Sequence, residues 1–160
     1  MRSDVVEELF KAHYNGALLY TASLCKNFAL AEDVVSEAFF KALSSADADN
    51  FKAWLFAVCR NAVFSLKRKK LRQVALTVDY ADDNESAVDK IIKDERYAAL
   101  YRAVSLLPDN YREAITLFYF EELSIKDVAK ITQKSETATK VTLMRAREKL
   151  KSILELKNEL

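Results

Sequence analysis

Apolar residues recur every three to four positions through most of the chain, the period of a helix that buries one face. Over residues 4–28 they stand at Val6, Leu9, Phe10, Leu18, Leu24 and Phe28, which predicts a first helix. Residues 31–43, AEDVVSEAFFKAL, repeat the period at Val34, Val35, Ala38, Phe39, Ala42 and Leu43. The polar, small-residue interval SSADADN, residues 44–50, reads as a loop. A third helix is expected over 51–70, with Phe51, Trp54, Leu55, Val58, Ala62 and Leu66 on one side, running out into KRKK. The period then lapses. Residues 73–90 are acidic, lack a sustained apolar repeat and read as a linker with little fixed structure.

The second half is helical again. Leu100, Val104 and Leu107 end one helix before Pro108. Pro108-Asp109 suits a helix start, because proline tolerates the first turn and an acid there favours the positive end of the helix dipole. The next helix is expected through YREAITLFYFEEL. Ser124 and Asp127 have capping-box spacing and open a short helix, SIKDVAKI. Thr132 to Lys134 make a turn, and Ser135 can cap a last helix that continues to about Leu156. The expected fold is all-α: two small helical domains, 1–72 and 94–160, joined by a flexible acidic linker, 73–93, with a helix-turn-helix in the second.

Composition agrees with this class. The 160 residues include one Gly and one Pro, far too few for the regular turns of a sheet fold. The net charge of +1 carries no information alone, but its distribution does. Arg60, Lys67, Arg68, Lys69, Lys70 and Arg72 form a basic block, followed at once by Asp79, Asp82, Asp83, Glu85 and Asp89. A second basic stretch carries Lys126, Lys130, Lys134, Lys140, Arg145, Arg147, Lys149 and Lys151 against Asp127, Glu136 and Glu148. Two cationic faces of this kind suit phosphate backbones.

The chemistry of an enzyme is not indicated. No Gly-rich phosphate loop and no Ser–His–acid arrangement is apparent with His13 as the one histidine. Cys25 and Cys59 lack metal-ligand spacing, so neither a metal nor any other cofactor is expected, and both read as buried thiols in a reducing compartment. No stretch approaches the roughly 18 apolar residues of a membrane span. MRSDVVEELF carries acids where an export signal would be basic and then apolar. The expected location is the cytoplasm, and no small-molecule substrate is expected.

The helix-turn-helix over residues 124–150 carries the strongest functional signal. Thr139, Leu143, Ala146 and Leu150 fall on one face of its second helix and would pack inward. Glu136, Thr137, Lys140, Val141, Met144 and Arg145 would face outward. Lys140 and Arg145 can meet phosphates or guanine edges, and Thr137, Val141 and Met144 can touch thymine methyl groups. In residues 51–72 the aromatics Phe51, Trp54, Phe56 and Phe64 are interleaved with Arg60, Lys67, Arg68, Lys69 and Lys70. Rings can hold unstacked bases there, although packing in a core is the better account of most of them, and a solvated helix end of the lysines.

AEDVVSEAFFKAL followed by FKAWLFAVCRN resembles the core-binding and promoter-melting region of extracytoplasmic-function sigma factors. LPDNYREAITLFYFEELSIKDVAKI followed by RAREKL resembles their C-terminal region, so the resemblance spans nearly the whole chain. It implies a transcription initiation factor that directs core RNA polymerase to promoter DNA and is held in check by an anti-sigma factor. It implies polymerase binding by Glu32, Asp33, Glu37 and Phe39. The loop 44–50 would capture a base flipped from the −10 element, beside Trp54, Arg60 and Asn61. Basic Lys67 and Arg68 extend that DNA-binding surface. Residues 133–147, with Lys134, Thr137, Lys140, Val141, Met144 and Arg145, would enter the major groove of the −35 element. The acidic linker would thread a positive channel of the polymerase.

Departures from the family pattern are local. Ser65 stands where an acid is usual. Thr137, Thr139 and Thr142 replace the usual Gly, Val and second basic residue of the recognition helix, so its −35 preference cannot be borrowed from relatives. Two rivals predict other behaviour: a helix-turn-helix regulator that binds an operator without polymerase, and a helical interaction protein that does not read DNA.

Overall fold

The structure is a computed structural model that describes residues 2–45, 49–72 and 84–159. Every regular element among the described residues is helical. The chain divides into two compact units, residues 1–87 and 88–160.

The first unit packs α1 (Ser3–Cys25), α2 (Phe28–Ser45) and α3 (Phe51–Arg72) against one another. Lys26 ends α1 in the left-handed region at φ 55°, its N–H donating to Ala22 O at 2.8 Å. This is an αL cap made without glycine. Asn27 then starts α2, its Oδ1 accepting from Leu30 N at 3.0 Å. Phe28, expected in the first helix, therefore opens the second. A polar pair able to terminate one helix and cap the next outweighed the continuous apolar period.

Small residues set how closely these helices approach. Ala17 and Ala22 of α1 and Ala31 and Ala42 of α2 are fully buried, and Leu55, Phe56 and Val63 of α3 fill the space between. The Tyr20 and Phe56 rings meet edge to face at 5.1 Å. A second aromatic group joins Phe10, Phe39 and Phe51, with centroids 5.0 Å (Phe10 to Phe39) and 5.9 Å (Phe39 to Phe51) apart. Both cysteines are thiols. Cys59 lies fully inside, where burial pushes its thiol up to about 12 while the Thr21 hydroxyl pulls the other way. Cys25, expected to be buried, is only half so, its Sγ–H donating to Asn27 O at 3.3 Å.

The second unit begins inside the segment expected to be a linker. Its residues 73–83 lie outside the described residues, but Asn84–Ile91 is a helix, α4. Val88 is buried, and Asp89 pairs with Arg102 on α5 (Glu95–Ser105). The burial of Val88 and the pairing of Asp89 are features that composition alone does not reveal. Asp94 caps α5, accepting from Arg96 N at 2.9 Å and Tyr97 N at 3.1 Å. Pro108 precedes α6 (Asp109–Ile115), and Asp109 accepts from Arg112 Nη2 at 2.7 Å.

Residues Thr116–Phe120 form a π-helical turn where an uninterrupted α-helix is expected, with Glu121 N donating five residues back to Thr116 O at 3.0 Å. Then follow α7 (Ile125–Thr132) and α8 (Glu136–Glu159). The unit's core gathers Val104, Leu107, Ala114 and Ile115 with Leu143 and Ala146 of α8.

Two outcomes follow from this packing. Leu143→Ala removes a fully buried side chain and is expected to lower stability by about 2–5 kcal/mol. Lys140→Ala, one turn away on the exposed face, is expected within about 0.5 kcal/mol of the parent; urea unfolding of both variants checks the contrast. For Cys59, roughly one thiol in ten thousand is ionised at pH 8 when its pKa is near 12. Iodoacetamide is therefore expected to alkylate Cys25 well before Cys59 in the folded chain, and both alike in urea, as read by peptide mass mapping.

Candidate nucleic-acid interface

The helix-turn-helix is built by local hydrogen bonds. Ser124 Oγ accepts from Asp127 N at 3.1 Å and caps α7. Gln133 closes α7 in the left-handed region at φ 59°. Lys134 N donates to Ala129 O at 2.9 Å and Gln133 N to Lys130 O at 3.3 Å, the paired bonds of a Schellman turn. Ser135 Oγ then accepts from Ala138 N at 3.0 Å and caps α8. Between two capped helices the turn has little freedom, so the start of α8 is fixed relative to α7.

The faces of α8 separate cleanly. Thr139, Leu143 and Ala146 are buried, Leu143 and Ala146 in the core with Val104, Leu107, Ala114 and Ile115, and α8 also packs against α7. Lys134, Glu136, Thr137, Lys140, Met144 and Arg145 are exposed, and Met144 keeps 49% of its surface in solvent. Val141, expected fully outward, is half-buried. An exposed Met and a partly exposed Val beside Lys140 form a face that is cationic and apolar together, as a major-groove reader requires. Further along α8, Arg147 Nη1 donates to Tyr119 Oη at 2.6 Å, tying the helix to the π-helical turn. An apolar groove of about 520 Å³ runs beside it, lined by Tyr97, Leu100, Ile115, Tyr119, Arg147 and Leu150.

In the first unit, α3 presents Asn61, Lys67 and Arg68 to solvent, with Trp54 and Arg60 half-exposed. Trp54 leans on Phe51 with centroids 5.7 Å apart. Phe51 and Phe56 are 3% and 0% exposed, so neither ring is available to a base and both belong to the core. Of the aromatics singled out in the sequence, only Trp54 and Phe64 keep accessible surface. The Arg60 guanidinium lies 4.5 Å from the Phe64 centroid. Of the interval 44–50 expected as a loop, Ser44 and Ser45 continue α2, residues 46–48 lie outside the described residues, and Asn50 precedes α3 in the left-handed region at φ 56°.

On α2, Glu32, Asp33 and Glu37 are exposed as a partner surface needs. Phe39 is not: 4% exposed, it packs against Phe10, Tyr14 and Phe51. Its neighbour Phe40 is 73% exposed and takes the apolar place on the outer face. The helical period contained this answer, because Phe39 is in phase with Val35 and Ala42 while Phe40 is not. Asp33 and Glu37 also border a groove of about 380 Å³ between α2 and α3, with Leu30, Val34, Leu66 and Lys69. The Tyr119–Arg147 bond had no sequence signal, since its partners are 28 residues apart.

Comparison with known proteins resolves what these surfaces belong to. Residues 9–73 match the family described as Sigma-70 region 2, and residues 97–150 match Sigma-70, region 4. The chain is 34% identical over 156 residues to the ECF RNA polymerase sigma factor SigM of Bacillus subtilis (strain 168), covering 92% of this chain and 94% of that protein. It is 32% identical over 132 residues to RNA polymerase sigma factor SigV of the same organism, covering 78% and 75%. Among solved structures it is similar to the sigma factor RpoE from Bartonella quintana, crystallised in complex with the anti-sigma factor NepR. That likeness has a TM-score of 0.69 and 27% identity, covering 96% of this chain and 98% of that one. With both regions in order, a basic helix-turn-helix in the second unit and a basic α3 in the first, the chain belongs to the ECF family of RNA polymerase sigma factors.

Proposed function

We propose that this protein brings core RNA polymerase to promoters by dividing the work between its two units. Residues 1–72 bind the polymerase and engage the −10 element, 73–93 connect, and 94–160 read the −35 element. The observation that carries this reading is the pair of basic helical surfaces, one in each region matched. The polymerase supplies the chemistry, and the protein works with it in the cytoplasm. No described helix is long and apolar enough to cross a membrane.

In the first unit, Glu32, Asp33, Glu37 and Phe40 form the polymerase-binding face, since acids beside an exposed ring suit a basic helical partner. Trp54, Arg60, Asn61, Lys67 and Arg68 face the melted −10 strand. Asn61 offers a donor and an acceptor to a base edge. In the second unit, Lys134, Lys140 and Arg145 meet phosphates or guanines, while Thr137, Met144 and the exposed part of Val141 contact thymine methyls. The anti-sigma factor bound to the Bartonella relative supports a partner of that kind here, masking the polymerase-binding face.

Each unit alone offers few phosphate contacts, so each binds weakly. Held together on polymerase, they act at a high effective concentration on two elements of one duplex. This separates the protein from an operator-binding regulator, which would bind its site without polymerase.

Run-off transcription with purified core polymerase on genomic fragments is expected to yield specific start sites that core enzyme alone does not use. Asn61→Ala and the double variant Lys140→Ala/Arg145→Ala are each expected to lower promoter-specific product about tenfold or more. Survival of specific transcription in both would favour an interaction protein that does not read DNA.

Thymine contact has its own signature. Replacing −35 thymines by uracil removes single methyl groups and is expected to weaken holoenzyme binding about three- to fourfold for each methyl in contact. Met144→Ala is expected to erase that sensitivity at one position, measured by competition binding.

A further inference from the structure

The buried stripe of α8, Thr139, Leu143 and Ala146, gives the rotation of every other residue on that helix. Successive residues turn by about 100°, so Thr137, Val141 and Met144 fall within about 45° of the line opposite the stripe. Thr137 and Met144 are exposed and Val141 half-exposed. Lys140 and Arg145 do not share this central row. They stand on its two sides, about 140° apart around the axis. The cations that follow repeat the division, with Arg147 and Lys151 on the Lys140 flank and Lys149 on the Arg145 flank. From Thr137 to exposed Glu148, the central row holds no Lys or Arg. Among the described residues, neither Lys140 nor Arg145 is held in an ion pair.

A helix with its side chains is about 10–12 Å across and the major groove about 12 Å wide, so a helix lying there fills it from wall to wall. The row opposite the buried stripe then meets base edges, and each flank meets the phosphates of one strand. A cation in the central row would suit the O6 and N7 acceptors of guanine. Here that row offers a hydroxyl, a branched aliphatic chain and a thioether, which suit thymine methyl groups. Glu148, on the same row, would be repelled by phosphates and cannot belong to a wall. Charge therefore lies where the backbones are, and apolar surface where the bases are.

We propose that α8 divides its cations between the two DNA strands, Lys140 to the phosphates of one and Arg145 to those of the other, and that neither reads guanine. Base preference at the −35 element then belongs to Thr137, Val141 and Met144. The inference rests on the assignment of α8 to the major groove of that element, and narrows it by separating the residues that position the helix from those that choose the sequence.

The test uses holoenzyme assembled from core polymerase and the full chain, on a promoter whose start site run-off transcription has mapped. Neutral methylphosphonate linkages are placed one at a time through the −35 element of each strand. The parent is expected to lose affinity at linkages on both strands. Lys140→Ala is expected to abolish the sensitivity on one strand only and Arg145→Ala on the other only, each lowering the salt slope of binding by about one. Against a panel of single −35 base-pair changes, each variant is expected to weaken every complex by the same factor, within twofold, and affinity for core polymerase should not change. Loss of sensitivity on the same strand in both variants, or no loss in either, overturns the division. A variant that relaxes the preference for one G·C pair shows guanine reading and overturns it as well. A parent holoenzyme that forms no promoter complex overturns the functional assignment and this inference with it.

Discussion

Burial of Thr139, Leu143 and Ala146 fixes the rotation of α8 about its own axis. A helix that must bury one stripe cannot choose what it shows on the other. Once those three residues face α7 and the core, Thr137, Lys140 and Met144 are turned outward together. The two serine caps and the Schellman turn at Gln133 then fix where that face begins. The proposed major-groove contacts therefore depend on apolar packing first and on charge second. Removing the packing would leave the same basic residues on a helix free to roll.

Charge has its effect by placement, not by amount. The chain is nearly neutral, yet α3 carries no acid and the exposed face of α8 is cationic. Acids are spread over the other helices and cluster on α2 and in the segment that precedes α5. A near-neutral total thus coexists with a basic helical surface in each unit. Weak individual binding is an advantage for a factor that must select promoters only as part of a larger machine.

The outer face of α2 shows the same economy. Three exposed acids and Phe40 share a helix whose other side holds Phe39 in an aromatic cluster with Phe10 and Phe51. Adjacent phenylalanines thus stand in opposite settings, one buried in the unit's core and one exposed to solvent. Cys59 belongs wholly to the first kind. Its raised thiol pKa comes from being sealed inside the unit, and it contributes volume, not reactivity.

The sequence by itself determined the all-α class, most helix limits, the turn at Thr132–Lys134 and the two faces of α8. These are local: they follow from apolar period, capping residues and proline, all read within a few positions. It also carried the two family regions in order. What only the tertiary structure decided depends on neighbours distant in sequence. Asn84–Ile91 is a helix within an acidic stretch, with Val88 buried and Asp89 paired with Arg102. Phe51 and Phe56 were withdrawn from any nucleic-acid surface by α1 and α2, while Phe64 was left beside Arg60. The π-helical turn and the Tyr119–Arg147 bond arise where α6 meets α8, and no window of sequence contains both sides of that contact.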